Sequence, residues 1–136
     1  MKYLKIPMDR VGVLIGHNGQ TKKELEEKCG VMLKIDSRQG EVVVNQEEDA
    51  DPLALISVEN IVKAIGRGFS PENAFMLLKE ESDFFSFDLH DYAGKKESHV
   101  RRLKSRVIGK EGKTRKVLED LTDSQISIYG HTVSII

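Results

Sequence analysis

The chain has 136 residues, with 21 Lys and Arg against 22 Asp and Glu, one Cys, no Trp and three Pro. At 39% hydrophobic residues it can build one ordinary domain or two small ones, but not a large core. A single Cys excludes an internal disulfide and a Cys-rich zinc site and points to a reducing compartment. No apolar run approaches the roughly 20 residues of a membrane span, and the opening MKYLKIPMDR is not a signal peptide, so a soluble, cytoplasmic protein is expected.

In chain order, residues 3–7 alternate well enough for a short strand. Val11, Leu14 and Ile15 follow at helical spacing and stop at the loop from Gly16 to Gly19. A second helix is predicted from about Thr21, with Glu24 placed for a capping box, Leu25 and Cys29 on its apolar face, and Gly30 as its stop. VMLKID and EVVVN, separated by SRQG, predict a hairpin. Asp51-Pro52 opens a helix whose apolar face carries Leu55, Val58, Ile61, Val62 and Ile65 and which ends at the glycines of GRG. Ser70-Pro71-Glu72 starts a short connecting helix. Beyond it, FFSFDL predicts a strand, SHVRRLKSRVIG and KTRKVLEDL two helices, and QISIY with TVSII a hairpin around Gly130-His131.

The second half repeats the first. LIGHNGQTKKELE from Leu14 aligns with VIGKEGKTRKVLE from Val107 at a constant offset of 93 residues, which pairs Gly16 with Gly109, Gly19 with Gly112, Thr21 with Thr114, Glu26 with Glu119 and Ile35 with Ile128. Each copy orders its elements strand, helix, helix, strand, strand, and only the first has a final helix. The second copy is therefore expected to be incomplete at its C-terminal end, through truncation of the chain or because a partner covers the sheet.

Charge is segmented in the same way. Between Gly94 and Lys116 ten basic residues meet two acids, a local balance of +8, whereas between Gln46 and Asp91 eleven acids meet three bases, a balance of -8. The formal net charge of -1 is thus a cancellation, and a basic segment beside the repeated loop favours a nucleic-acid partner. Two other chemistries are discounted. GKEGKT lacks the first glycine of a nucleotide-binding P-loop, because Val107 stands where it would be. The group Asp88, His90 and Asp91 shows no second ligand group, so neither a metal nor acid-base catalysis is expected there. Cys29, on an apolar helix face, is read as packing.

The pattern I-G-x-x-G-x-T between two helices, with basic residues downstream and an Ile-x-Ile or Leu-x-Ile strand about ten residues later, resembles the KH domain, and the resemblance covers both copies. It implies an α/β (α+β) fold of two type I KH domains, each a three-stranded sheet packed on helices. The expected boundaries are 1–69 for the first domain, 70–82 for the connecting helix and 83–136 for the second domain, which lacks its final helix. KH domains clamp about four single-stranded nucleotides on the glycine loop. The resemblance places RNA at Gly16, His17, Asn18, Gly19, Lys22 and Lys23. In the second copy it places RNA at Arg101, Arg102, Lys104, Arg106, Val107, Ile108, Gly109, Lys110, Glu111, Gly112, Lys113, Arg115 and Lys116. Bases would lie on Val11, Leu14, Ile15, Leu33 and Ile35, or on Val107, Ile108, Ile126 and Ile128. Glu111 departs from the family, which usually has a basic residue there.

The linking AIGRGFSPENAFMLL and the second motif, through TVSII, are similar to the archaeal tandem KH proteins of small-subunit ribosome assembly, relatives of the eukaryotic partner of the Nob endonuclease. That likeness implies a non-catalytic RNA-binding protein without a cofactor. It would act on single-stranded ribosomal RNA near the 3′ end, with a Nob-type endonuclease and the α subunit of initiation factor two as partners and no membrane. The alternative is a protein-interaction adaptor that uses the acidic middle to dock a translation or RNA-processing factor. A KH subunit of an RNA-degrading complex would need a further S1-like barrel, for which 136 residues leave no room.

Overall fold

A computed structural model describes residues 1–136, which divide into two compact units, Met1–Ser82 and Asp83–Ile136. In the first unit, β1 (Lys2–Lys5) leads into α1 (Met8–Ile15), a single 3-10 turn (His17–Gly19) and α2 (Gln20–Cys29). Then come β2 (Val31–Asp36), β3 (Glu41–Gln46) and α3 (Pro52–Gly66). The sheet order is β1-β3-β2, antiparallel throughout, with Leu4 and Ile35 both opposite Val42 and Leu33 opposite Val44. Alternation puts Val31, Leu33, Val42 and Val44 on the helix side, all buried, and leaves Met32 and Lys34 exposed on the other.

Helix α3 completes that core. Val58, Ile61, Val62 and Ile65, at i, i+3, i+4 and i+7, are fully buried. At about 1.5–3 kcal/mol for each large aliphatic side chain removed from water, this stripe is a main source of the unit's stability. The helix starts as the sequence predicts: Asp51 Oδ1 accepts the Leu53 amide at 3.0 Å and Pro52 occupies the first turn. Its C-terminal end is held by Arg10, whose guanidinium donates to the Ile65 and Phe69 carbonyls at 2.8 Å each. The predicted connecting helix is two short pieces instead, α4 (Pro71–Ala74) and a 3-10 turn (Phe75–Leu78), capped by Ser70. Ala74 and Leu77 are buried, and both pieces pack on α3 inside the first unit.

The second unit repeats the plan with β4 (Phe85–Asp88), α6 (Glu97–Ile108), a turn at Lys110–Gly112, α7 (Lys113–Thr122), β5 (Ile126–Tyr129) and β6 (Thr132–Ile135). An additional one-turn helix, α5 (His90–Ala93), follows β4 and was not predicted. The sheet order β4-β6-β5 is that of the first unit, and Phe87 and Ile128 flank Val133 as Leu4 and Ile35 flank Val42. Its core is smaller: Leu89, Val100, Ile126 and Val133 are buried, edged by Leu103, Val107, Ile128 and Ile135. No helix in the chain is long and apolar enough to cross a membrane.

Candidate nucleic-acid interface

The two glycine loops have the same backbone. Gly16 and Gly109 take φ/ψ of 78/175° and 74/174°; Asn18 and Glu111 lie at 54/28° and 56/28°; Gly19 and Gly112 lie at 73/14° and 75/13°. Each loop closes with an amide-to-carbonyl bond, Gly19 to Gly16 at 3.1 Å and Gly112 to Gly109 at 3.2 Å. The paired glycines are needed for different reasons. A Cβ on Gly16 would sit 2.8 Å from Thr21 Cβ, and one on Gly109 would sit 2.7 Å from Thr114 Cβ. The first glycine therefore lets the loop fold back on the next helix, and the threonine two residues after the second glycine is the surface it folds onto. At Gly19 and Gly112 a Cβ would meet nothing within 4 Å. These glycines serve the left-handed conformation and leave open space where a sugar-phosphate backbone can approach.

Neither α2 nor α7 has a side-chain cap at its N-terminus. The predicted capping box is absent, because α2 begins at Gln20 with Gly19 at the cap position, which puts Thr21 inside the first turn. The Gln20 and Lys113 amides donate to the His17 and Lys110 carbonyls, so what each helix start offers an anion is the positive end of its dipole and the first-turn amides that follow. Two further couplings recur in both units. Glu26 accepts the Leu33 amide at 2.8 Å, and Glu119 accepts the Ile126 amide at 3.0 Å, so a helix carboxylate pins the first residues of the neighbouring strand. The same carboxylates lie 3.8 Å from Lys22 and from Arg115. The repeated Glu, matched in sequence but given no role there, thus fixes the α2–β2 and α7–β5 junctions.

The predicted contact residues separate by position. His17, Asn18 and Lys23 are exposed around the first loop, and Lys110, Lys113 and Lys116 around the second. Lys22 and Arg115 are also at the helix starts, but each is shared with its glutamate. Glu111 is exposed at the tip of the second loop, between the Lys110 and Lys113 charges. Arg106 is close to the loop along α6, whereas Arg101 is about 12 Å from Gly109 along the helix axis at 1.5 Å per residue, beyond a Debye length. Arg101 instead faces Glu97 at 4.0 Å in solvent; Arg102 is exposed and Lys104 half-buried.

The apolar set divides similarly. Val11, Leu14 and Leu33 are core residues, buried to 3% exposure or less, and have no surface to offer a base. Ile126 is also buried, while Ile15, Ile35, Val107, Ile108 and Ile128 remain partly exposed. The acidic middle is partly consumed by structure: Asp51 caps α3, Asp83 accepts the Phe84 amide, and Glu59 pairs with Lys63 at 2.9 Å and Lys2 at 3.6 Å. The Lys63 hydrogen bond, against the opposing effect of partial burial, holds the Glu59 carboxyl below its usual 4.5. Burial raises the Cys29 thiol above its usual value, which fits a packing role.

Residues 1–67 match the KH domain model, and residues 84–136 match a model described as the eukaryotic-type KH domain, KH-domain type I. Over 98% of its length the chain superposes on the crystal structure of Dim2p from Pyrococcus horikoshii, with 44% identity, a TM-score of 0.91 and 78% of that chain covered. The chain belongs to the tandem KH family of Dim2 and PNO1. A second Pyrococcus horikoshii structure, of an a/eIF2alpha–aDim2p–rRNA complex, matches with the same identity and TM-score over 73% of its chain. The KH domain-containing protein of Methanocaldococcus jannaschii is 48% identical over all 136 residues, and the chain spans 60% of that relative's length. The RNA-binding protein pno1 of the tick Ixodes scapularis is 31% identical over 91 residues, 66% of this chain and 39% of that protein. Family membership accounts for the repeated loops and for the common strand order.

One prediction is corrected by the geometry. The discounted group at Asp88 does gain a second ligand group, because His90 is not on the strand but opens α5, and His131, from the β5–β6 turn, comes to the same carboxylate. Nothing in the local sequence joins positions 88 and 131. Only the antiparallel pairing of Asp88 with Thr132 does so.

Proposed function

We propose that the chain is a non-catalytic clamp for single-stranded RNA that binds small-subunit ribosomal RNA near its 3′ end during ribosome biogenesis. The observation that carries this reading is the pair of glycine loops with matching backbone, each open at its second glycine and each followed by an uncapped, lysine-bearing helix start. Such a surface takes up phosphates, while the half-exposed Ile15, Ile35, Val107, Ile108 and Ile128 offer apolar area to bases. The relative in complex with rRNA and a/eIF2alpha supports ribosomal RNA as ligand and the α subunit of initiation factor two as partner; the family likeness extends the partners to a Nob-type endonuclease, all in the cytoplasm. Crosslinking in cells followed by sequencing of the bound RNA tests the assignment. Enrichment of the small-subunit rRNA 3′ region is expected, and reads spread over unrelated transcripts would refute it.

A further inference from the structure

We propose that Asp88, His90 and His131 form a binding site for a divalent transition-metal ion of the zinc class, which ties the β5–β6 turn to the end of β4. The Nδ1 atoms of His90 and His131 lie 2.9 Å and 3.1 Å from the same atom, Asp88 Oδ1, and the three ligand atoms lie within 4.8 Å of one another. A tetrahedral ion with bonds of about 2.0–2.1 Å separates its ligand atoms by about 3.3 Å, so small side-chain shifts admit one. Two imidazoles and a carboxylate are a donor set for zinc, copper or nickel rather than for magnesium or calcium, which take oxygen ligands.

The site is positioned by backbone as well as by side chains. The His90 amide donates to Asp88 Oδ1 at 2.8 Å, and the Leu89 amide donates to the His131 carbonyl at 2.7 Å, fixing both histidines relative to the strand end. The imidazole rings have centroids 4.6 Å apart and planes tilted by 44°, with both Nδ1 atoms on the one carboxylate oxygen. Asp88 and His90 are half-buried and His131 is exposed, which leaves the remaining coordination position to solvent. Without an ion, the carboxylate is held below its usual range, chiefly by the His90 amide and secondarily by the two imidazoles. Ligation requires each imidazole to present a bare Nδ1 and to carry its proton on Nε2.

The first unit is an internal control. There the Ile6 amide donates to the Gly40 carbonyl at 2.9 Å, the same strand-to-turn bond, but the positions equivalent to Asp88, His90 and His131 hold Lys5, Pro7 and Gly40. The shared fold does not require the ligand residues, and only the unit with the smaller core has them.

Isothermal titration of the full chain, freed of metal by chelation, with ZnCl2 is expected to show one zinc ion bound per chain, with MgCl2 giving no heat. His131→Ala and Asp88→Asn are each expected to weaken zinc binding by at least about tenfold while far-UV circular dichroism stays unchanged. In the unaltered chain, long-range proton–nitrogen NMR spectra should show zinc shifting the Nδ1 signals of His90 and His131 but not those of His17 and His99. That measurement decides the matter even if a variant fails to fold. Absence of saturable binding, equal binding by folded variants, or shifts at His17 or His99 alone would overturn the proposal.

Discussion

Gly16 and Gly109 are demanded by close approach within the chain, whereas Gly19 and Gly112 are demanded by their left-handed backbone alone. The first pair packs against Thr21 and Thr114; the second faces open space. Gly109→Ala should therefore destabilise the second unit, by roughly 1–3 kcal/mol from overpacking and a positive φ, as read by chemical denaturation. Gly112→Ala should cost no more than about 1–2 kcal/mol, from the φ of 75° alone. Asp123 carries the opposite expectation. It ends α7 in the left-handed conformation, φ 50°, where the equivalent residue of α2 is Gly30. Asp123→Gly should raise stability by about 0.5–1 kcal/mol, since glycine adopts that conformation without the Cβ penalty. The two glycines were legible in sequence as a motif, but their division of labour was not, because it depends on where the threonine side chain lies after α2 turns back.

At the scale of elements, α3 and its contacts show what pattern reading captures and what it misses. The stripe from Val58 to Ile65, the Asp51-Pro52 start and the hairpin before it follow from periodicity and capping chemistry in the sequence alone. Arg10 at the far end of α3 and Glu59 beside β1 were not legible, because their partners lie far away in the chain. The Glu59 carboxyl has a lowered pKa in the folded state, so its ion pairs favour folding above the ordinary value of 4.5. That contribution disappears as pH falls through the lowered value. Denaturation of the unaltered chain between pH 6 and about pH 3 should thus show a loss of first-unit stability on acidification that is smaller in Glu59→Gln. An identical pH profile for the two would remove Glu59 from the account. The capping box expected at Thr21 and Glu24 failed because α2 starts earlier, with Gly19 at the cap position and Thr21 already inside the first turn.

Across the whole molecule, one plan has been executed twice with unequal burial. Leu25 is fully buried on α2, while its counterpart Leu118 on α7 is 39% exposed; Leu121, Phe85 and Tyr92 are exposed in the second unit as well. Among residues 83–136 no helix follows β6 as α3 follows β3. The amides of β5 and β6 should therefore exchange with solvent at lower protection than those of β2 and β3 in native-state hydrogen exchange. Equal protection in both sheets would mean that side-chain burial does not govern local stability here. The charge balance also becomes intelligible at this scale. The basic excess is concentrated around the second glycine loop and the helices that flank it, whereas of the acids in the middle segment Asp51 caps α3 and Glu59 pairs with Lys63 and Lys2.

The account rests on the claim that the two open glycines mark where a single strand of RNA is held. It is tested most directly by equilibrium titration of a short rRNA 3′-end oligonucleotide against the unaltered chain and against Gly19→Asp, Gly112→Asp and the double variant. Asp is among the few residues that visit the left-handed conformation, and no atom of the chain lies within 4 Å of the added Cβ, so the variants should fold at a modest cost in stability while placing a negative charge where phosphate would lie. The expected result is at least a tenfold loss of affinity in the double variant, and a steep fall of affinity with added salt for the unaltered chain. Undiminished binding by a folded double variant would contradict the claim.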